Sequence, residues 1–141
     1  MEIGAVGYEF PEDYMEVTEE MIKQYAEASY DFNPLHLDTQ WMSEASFGGT
    51  KFRGVIGHGL MTYSLITRMV TKVIYPAGGW HERCEVRFKA PVHPGDRITA
   101  SGKVIESKDL EGSTVYVASV QVVNQNGQIV AQGDAMGRIY R

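Results

Sequence analysis

The sequence predicts an α+β fold in which an antiparallel sheet packs around one long helix. Four strand-like segments follow that helix, and the chain, with 141 residues of which 43% are hydrophobic, has enough apolar material for one core and too little for two. We therefore predict a single domain over residues 1–141. The helix is predicted to be buried along much of its girth because its apolar residues recur at helical spacing in a broad stripe: Leu60, Met61, Leu65, Ile66, Met69, Val70, Val73 and Ile74.

The N-terminal part of the chain is predicted to be extended at first and then helical. Residues 1–17 mix glycines and a proline with aromatic and acidic residues, which suits an extended segment with one short strand. Thr18 is a good N-cap, and Glu19 and Glu20 follow it in the first turn, where the positive end of the helix dipole favours acids. Apolar residues at helical spacing then predict a helix that packs against the domain and leads into the next loop.

The loop over residues 29–38 concentrates polar chemistry in a short stretch. Pro34 fixes its own φ and pushes Asn33 out of the α region, so the preceding helix should end before this point. Asp31 and His36 are so close in the sequence that their side chains should lie near each other in space. A carboxylate beside an imidazole suits acid and base catalysis. The same composition is also typical of an ordinary turn, in which Asp and Asn bond to the local backbone.

A glycine-rich stretch over residues 47–61 leads directly into the long helix. Glycines there allow a backbone to approach a ligand closely. The first N–H groups of a helix have no internal partner, so they can point at a developing oxyanion. Between the two loops, residues 38–45 are predicted to form a short helix. Four aromatic residues are candidates either to line or merely to support a pocket near these loops, namely Tyr30, Trp41, Phe47 and Tyr63.

The second half of the chain supplies the predicted sheet. The strand-like segments cover residues 80–90, 97–107, 113–124 and 128–139. The third of these alternates apolar residues on both faces, so we expect it at the centre of the sheet with apolar surroundings on either side. Asn126 followed by Gly127 is a strong signal for a hairpin between the last two strands.

Composition argues against several classes of partner. The net charge of −5 leaves no basic surface for a nucleic acid. The single Cys84 allows no internal disulfide and no metal-binding spacing, so we expect no metal. Neither a targeting sequence nor a membrane-spanning segment is visible, and we expect a soluble, cytoplasmic protein without a membrane partner.

The loop and the glycine-rich stretch together resemble the MaoC-like dehydratases, a family of (R)-specific enoyl-CoA hydratases with a hot-dog fold. The resemblance extends over nearly the whole chain. It includes one departure, because Tyr30 stands where the family has glycine before the catalytic Asp, and we expect its bulk to narrow or reshape the pocket. The residues that carry the resemblance are Asp31, Asn33, Pro34 and His36, then His58 with Gly59, and finally the segment 87–96.

The resemblance implies hydration of a trans-2-enoyl-CoA to an (R)-3-hydroxyacyl-CoA, or the reverse dehydration, as part of fatty acid metabolism. In this interpretation Asp31 and His36 hold the attacking water, one removing its proton and the other protonating C2, with Asp31 favoured as the base. The peptide N–H of Gly59 would bind the thioester oxygen. The resemblance makes the enzyme a hydro-lyase that needs no cofactor, because coenzyme A is part of the substrate, and it implies a homodimer or a dimer of dimers. Further candidates for substrate binding are Asn33, Tyr30, Gly57 and His58.

Several of these assignments have alternatives. Asn33 can order the loop through bonds to the backbone, and His58 can be structural. His81 and His93 have no obvious acidic neighbours and are expected to be packed or solvated. At the level of function, hot-dog domains also include acyl-CoA thioesterases and non-catalytic partner subunits of mixed MaoC-type dimers. Cations that could meet the phosphates of coenzyme A, or simply be exposed, are Arg83, Arg87 and Lys89 on one strand face and Lys51 and Arg53 beside the glycine-rich loop.

Overall fold

Five strands and four helices make up the fold in a computed structural model that describes residues 1–141. All five strands belong to one antiparallel sheet with the order β1-β3-β4-β5-β2. Along the chain the elements are β1 (Glu9–Glu16), α1 (Glu19–Ser29), α2 (Pro34–Leu37), α3 (Thr39–Glu44), α4 (Gly59–Ile74), β2 (Gly79–Phe88), β3 (Arg97–Leu110), β4 (Ser113–Val123) and β5 (Ile129–Tyr140).

The long helix α4 packs against one face of this sheet and supplies much of the core. Most of the predicted apolar stripe is buried, but Leu60 is 60% exposed, contrary to its assignment. A helix turns about 100° per residue, so Leu60 points away from the buried stripe that contains Met61, Leu65 and Met69. Together, α4 and the antiparallel sheet confirm the expected hot-dog architecture.

The sheet confirms the predicted strands and corrects one detail. Strand β4 lies at the centre, as expected. Only one of its faces is buried, however, with Tyr116 and Ala118 inside and Ser119 and Gln121 exposed on the other side. The prediction of apolar surroundings on both faces was wrong, because α4 covers a single face of the sheet. Gly127, with φ of 75°, forms the predicted turn between β4 and β5.

Helix α1 delivers the chain to the candidate loop as its sequence predicts. The side chain of Thr18 caps the helix by accepting a hydrogen bond from the N–H of Met21 at 3.1 Å. The helix ends at Tyr30, which adopts the left-handed conformation with φ of 59°. The lead-in also contains the expected strand, since β1 pairs with the edge of β3.

A feature that the sequence did not predict is the one-turn helix α2, which carries His36. Pro34 is its first residue, where a missing N–H costs nothing. Asn33 caps it by accepting a hydrogen bond from the N–H of Leu35 at 3.2 Å. The loop is therefore more regular than its composition suggests. No helix of the fold has both the length and the apolar character required to cross a membrane.

Candidate active site

Asp31 and His36 approach each other closely. The carboxylate Oδ2 of Asp31 lies 3.9 Å from Nε2 of His36. The side chain of His36 is 11% exposed, whereas that of Asp31 is 51% exposed. The Nδ1–H of His36 donates a hydrogen bond to the carbonyl oxygen of Ile56 at 2.7 Å. Because Nδ1 carries that proton, the neutral ring presents an unprotonated Nε2 to the carboxylate.

The surroundings of His36 favour its neutral form. Burial is the largest influence and lowers the pKa of the imidazole below its ordinary value of 6.5. The neighbouring His58 acts in the same direction, while the bond to Ile56 and the charge of Asp31 oppose it. At neutral pH His36 is therefore suited to accept a proton or a hydrogen bond.

A cavity of about 400 Å³ lies beside His36. Three of the predicted site residues line it, namely His36, Gly57 and Gly59. The remaining wall is mainly apolar and comes from the glycine-rich loop, α4, the end of β2 and the start of β5. These other lining residues are Phe52, Ile56, Thr62, Phe88, Lys89, Ala90, Pro91, Val92 and Val130.

The two cavity-lining glycines differ in what their peptide groups can do. The N–H of Gly57 already donates to the carbonyl of Val92 at 2.6 Å, so it is not free for a ligand. Gly59 is the first residue of α4, and no hydrogen bond occupies its N–H. A side chain at Gly59 would meet the ring of Phe88, since a Cβ there would lie 3.0 Å from its Cζ atom. Gly59 therefore offers a free donor at a position where only glycine fits without displacing Phe88.

His58 lies behind the Asp31–His36 pair and is only 2% exposed. Its Nε2–H donates to the backbone carbonyl of Asp31 at 3.0 Å. Its ring stacks on that of His36, with centroids 3.7 Å apart and an interplanar angle of 22°. Tyr25 of α1 packs against the same ring at 4.7 Å. His58 does not line the cavity, so it contacts the candidate catalytic residues and not the space beside them.

Comparison with known protein families gives a match over most of the chain. A family model described as the MaoC like domain matches residues 6–126. The chain belongs to the MaoC-like domain family. This result, together with the sheet and the central helix, confirms the resemblance that the sequence motifs indicated.

Individual relatives of this MaoC-like chain have modest sequence identity. The (R)-specific enoyl-CoA hydratase of Aeromonas caviae is 27% identical over 118 residues, a match that covers 84% of this chain and 83% of the relative. The 3-hydroxyacyl-thioester dehydratase Z of Mycobacterium tuberculosis is 29% identical over 119 residues, covering 82% and 76%. The solved structure of the R-hydratase PhaJ1 from Pseudomonas aeruginosa superposes with a TM-score of 0.81 at 27% identity, covering 97% of this chain and 83% of that one.

Four of the seven predicted site residues of the MaoC-like chain do not line the cavity, namely Asp31, His58, Tyr30 and Asn33. Tyr30 is 85% exposed and does not line the cavity. The expectation that its bulk narrows the pocket was therefore wrong. Its left-handed backbone turns the side chain away at the end of α1. The side chain of Asn33 is engaged in capping α2. The aromatic tunnel candidates Trp41, Phe47 and Tyr63 do not line the cavity either, and Phe52 and Phe88 occupy that role.

The segment 91–96, part of the third motif, anchors the glycine-rich loop. Asp96 is buried and accepts hydrogen bonds from the side chains of Arg53 and Gln125 and from the backbone N–H of His93. The ring of His93 bonds through Nδ1–H to the carbonyl of Val55 at 3.1 Å. These bonds fix the backbone next to Ile56, and thereby the carbonyl that orients His36. His93 was expected to be either packed or solvated, and the structure shows that it is packed.

The cations of the MaoC-like chain occupy different environments. Arg53 pairs with Asp96, and Arg83 pairs with Glu85 on the same strand. Lys89 follows the end of β2 and is the only Lys or Arg that lines the cavity. Of the candidates for phosphate recognition, Lys89 is therefore the one placed at the candidate site.

Asp31, His36 and His58 bring potential metal ligand atoms within 4.8 Å of one another. Two of the ring nitrogens already donate to backbone carbonyls, and the two rings are stacked, so their remaining lone pairs lie in nearly parallel planes. Metal ligands must instead converge on one point. This geometry gives no support to a metal site, and the absence of a metal from the reaction stays a prediction.

The lining residues that sequence reasoning missed share one property. In the sequence nothing distinguishes them from ordinary core or strand residues. They meet only because α4, β2 and β5 converge, which brings together Thr62, Phe88 and Val130. The sequence did contain a signal for Phe88, because Phe88 belongs to the same motif, residues 87–96, as the lining residues Pro91 and Val92. No local pattern marked Val130.

Proposed function

We propose that this MaoC-like chain adds water to a trans-2-enoyl-CoA to give an (R)-3-hydroxyacyl-CoA, or catalyses the reverse dehydration. The observation that carries the proposal is the pair formed by Asp31 Oδ2 and His36 Nε2, 3.9 Å apart, beside an apolar cavity that also exposes the free N–H of Gly59. The activities named for the Aeromonas caviae and Mycobacterium tuberculosis relatives support the same reaction class.

The separation of the two side chains suits one shared water molecule. A distance of 3.9 Å is too long for a direct hydrogen bond, but a water that makes two hydrogen bonds of about 2.8 Å can reach both atoms. In this arrangement each hydrogen of the water points to one acceptor. The oxygen lone pair is then left free to attack C3 of the enoyl group.

The protonation states of Asp31 and His36 limit which mechanisms are possible. Neutral His36 holds its only ring proton on Nδ1, committed to Ile56, and the Asp31 carboxylate holds none. Neither group therefore starts with a proton to give to C2. In our proposal Asp31 removes a proton from water as the C3–O bond forms, and the same proton is then delivered to C2, while His36 orients the water. One O–H bond and the π bond between C2 and C3 break, and one C–O and one C–H bond form on the same face.

Gly59 would stabilise the charge that develops between these steps. As water adds to C3, negative charge moves to the thioester oxygen, and a backbone N–H at a helix N-terminus is a suitable donor for it. Loss of one such donor typically costs about 100-fold to 1000-fold in rate. The apolar wall, including Ile56 and Val92, would hold the acyl chain and exclude bulk water.

Replacement of Asp31 by Asn tests the proposal directly. We expect kcat for hydration of a short enoyl-CoA to fall by about 100-fold to 10,000-fold, because the base is lost while the shape is kept. Asp134→Asn is a matched control, since Asp134 is exposed on β5 and distant in sequence from the loop. Full activity in Asp31→Asn would remove this residue from the mechanism.

One assay separates hydration from thioester hydrolysis. Loss of the enoyl thioester absorbance without release of free thiol supports the hydratase, whereas thiol release indicates a thioesterase. Activity of the purified single chain would also argue against a role as the non-catalytic member of a mixed pair.

We further propose that the chain works as a homodimer. Strand β2 lies at the edge of the sheet and exposes the large apolar side chains of Trp80 and Phe88. An unpaired edge with exposed aromatic residues is a surface that proteins usually cover. Light scattering of the purified chain should give twice the monomer mass, and a monomer with full hydratase activity would contradict the proposal.

A further inference from the structure

One buried side chain touches both members of the proposed catalytic pair. His58 bonds to the backbone of Asp31 and stacks on the ring of His36. We propose that His58 is a positioning residue that holds Asp31 and His36 at the separation their shared water requires. This inference rests on the proposed hydratase function and adds to it a residue that does not touch the substrate.

The hydrogen bond from His58 is the main external anchor of Asp31. The other bonds of Asp31 are local, since its N–H donates to Ser29 Oγ and its Oδ1 accepts from the N–H of Asn33, both at 3.3 Å. The bond from His58 is shorter, at 3.0 Å, and comes from a residue 27 positions further along the chain. Asp31 follows a residue in the left-handed conformation on an exposed loop, so loss of this bond would leave its backbone, and the carboxylate that the backbone carries, held only by the loop itself.

The conformation of His58 indicates a specialised role for its side chain. His58 is the N-cap residue of α4, a position whose side chain usually accepts a hydrogen bond from the helix. The side chain of His58 makes no such bond and reaches Asp31 instead. Tyr25 supports the ring from α1. The ring thus joins α1, the catalytic loop and α4 at one point.

The bonding pattern also specifies the protonation of both histidines. His58 must carry its proton on Nε2 to donate to Asp31, and its buried Nδ1 has no partner. A proton on that Nδ1 would be a buried donor without an acceptor, which is unfavourable. His36 carries its proton on Nδ1. The two stacked rings are therefore predicted to be opposite neutral tautomers.

Two substitutions at His58 separate its hydrogen bond from its ring. His58→Phe keeps an aromatic ring but removes the donor, and His58→Gln keeps an amide N–H donor in a similar position. On the pH plateau we expect kcat of His58→Phe to fall by about tenfold to 100-fold, because a small displacement of a catalytic group is costly. His58→Gln should recover most of that loss. His81→Phe is the matched control, because its ring nitrogens are buried and make no hydrogen bond.

The pH profile provides a second readout, beside the recovery expected in His58→Gln. The groups near His36 are Asp31, His58, Glu19 and Lys23 of α1, and Lys89 across the cavity. In acid, a positive charge on His58 would oppose protonation of His36, and this charge effect is one cause of the lowered pKa of His36. Either substitution at His58 removes that charge, so the acid limb of kcat/KM should move to higher pH. The limb should not move in His81→Phe.

Two outcomes would contradict the positioning role of His58. A folded His58→Phe enzyme with a plateau kcat within about twofold of wild type would do so, as would a folded His58→Gln enzyme no better than His58→Phe. Thermal unfolding of each variant establishes that it is folded.

Nitrogen NMR of the wild-type chain tests the bond without any variant. We expect Nε2 of His58 and Nδ1 of His36 to be the protonated nitrogens. A proton on Nδ1 of His58 would contradict the proposal. Because this measurement needs no turnover, it remains decisive even if the wild-type chain hydrates no enoyl thioester, a result that would instead refute the proposed function.

Discussion

His36 combines burial with a hydrogen bond that fixes its tautomer. The carbonyl of Ile56 holds Nδ1–H, so that Nε2 is directed toward Asp31. Burial makes the charged form of the ring unfavourable and lowers its pKa. Since the proposed mechanism needs Nε2 without a proton, activity should follow the neutral fraction of this one side chain.

The first prediction at this scale concerns pH. The pKa of His36 lies below 6.5, so kcat/KM should be constant above that value and fall only as the pH drops through the lowered pKa. Asp31 raises the pKa of His36, and Asp31→Asn should therefore lower it further. Histidine titration by NMR measures both values. A higher pKa in Asp31→Asn than in wild type would contradict the interaction.

A second prediction concerns Lys89, the cation at the cavity. We expect Lys89→Ala to raise KM for an enoyl-CoA by about threefold to tenfold with little change in kcat, because a phosphate contact outside the reacting centre contributes to binding alone. The corresponding enoyl-pantetheine, which has no phosphate, should show no such increase. Lys108→Ala, at an exposed position on β3, is the matched control. Equal effects on both substrates would argue against a phosphate contact.

Between elements, a buried carboxylate connects the sheet to α4. Asp13 lies at a bulge in β1 and accepts hydrogen bonds from the side chains of Arg68, at 2.8 and 3.0 Å, and of Lys72, at 3.0 Å. Arg68 also donates to the carbonyl of Tyr14. These bonds, above all those from Arg68, hold the pKa of Asp13 well below its usual range. The cluster therefore fixes the edge strand against the central helix.

We predict that Asp13→Asn lowers the free energy of unfolding by about 1–3 kcal/mol, because it removes charge-assisted bonds to two cations. A carboxyl with a lowered pKa stabilises the fold above its ordinary pKa of 3.8, and the contribution is lost as the pH falls through the lowered value. The difference from wild type should therefore be constant near neutrality and shrink in acid. Urea unfolding at several pH values measures it.

Glu85→Gln serves as the control for that measurement. It removes the exposed pair with Arg83, and an exposed ion pair contributes less than about 1 kcal/mol. An Asp13→Asn variant no less stable than Glu85→Gln would show that the cluster does not hold β1 to α4.

At the scale of the whole molecule, Tyr116 is the largest fully buried side chain of the core. It lies on the central strand, contacts Phe10 of β1 and covers Gly137 of β5. Its hydroxyl has no hydrogen-bond partner, and burial raises the pKa of the phenol well above its ordinary value. The ring is needed to fill the core, whereas the hydroxyl is a buried polar group that no bond compensates.

Two substitutions in the core should have opposite effects on stability. Tyr116→Phe should raise the free energy of unfolding by about 1 kcal/mol, since it removes an unsatisfied hydroxyl and keeps the ring. Gly137→Ala should lower it by about 1–3 kcal/mol, because the added Cβ would overlap the Tyr116 ring. Urea unfolding again provides the measurement. A clear loss of stability in Tyr116→Phe would reveal a partner for the hydroxyl.

The sequence by itself determined the elements and much of the chemistry. Thr18 marked the start of α1, the broad apolar stripe marked α4, and Asn126 with Gly127 marked the last hairpin. The motif around Asp31 and His36 identified the proposed reacting groups through its resemblance to the MaoC-like family, since the loop composition alone also suits an ordinary turn. These features could be predicted because each depends on residues close together in the chain, through capping, helical periodicity or turn geometry.

Only the tertiary structure decided how those elements build a site. It turned Tyr30 away from the cavity, replaced the expected aromatic lining with Phe52 and Phe88, and left one face of β4 open. It also placed His58 in contact with both Asp31 and His36. A cavity wall and a stacked pair of rings depend on contacts between residues far apart in the chain, and local patterns carry no information about which distant surfaces will meet.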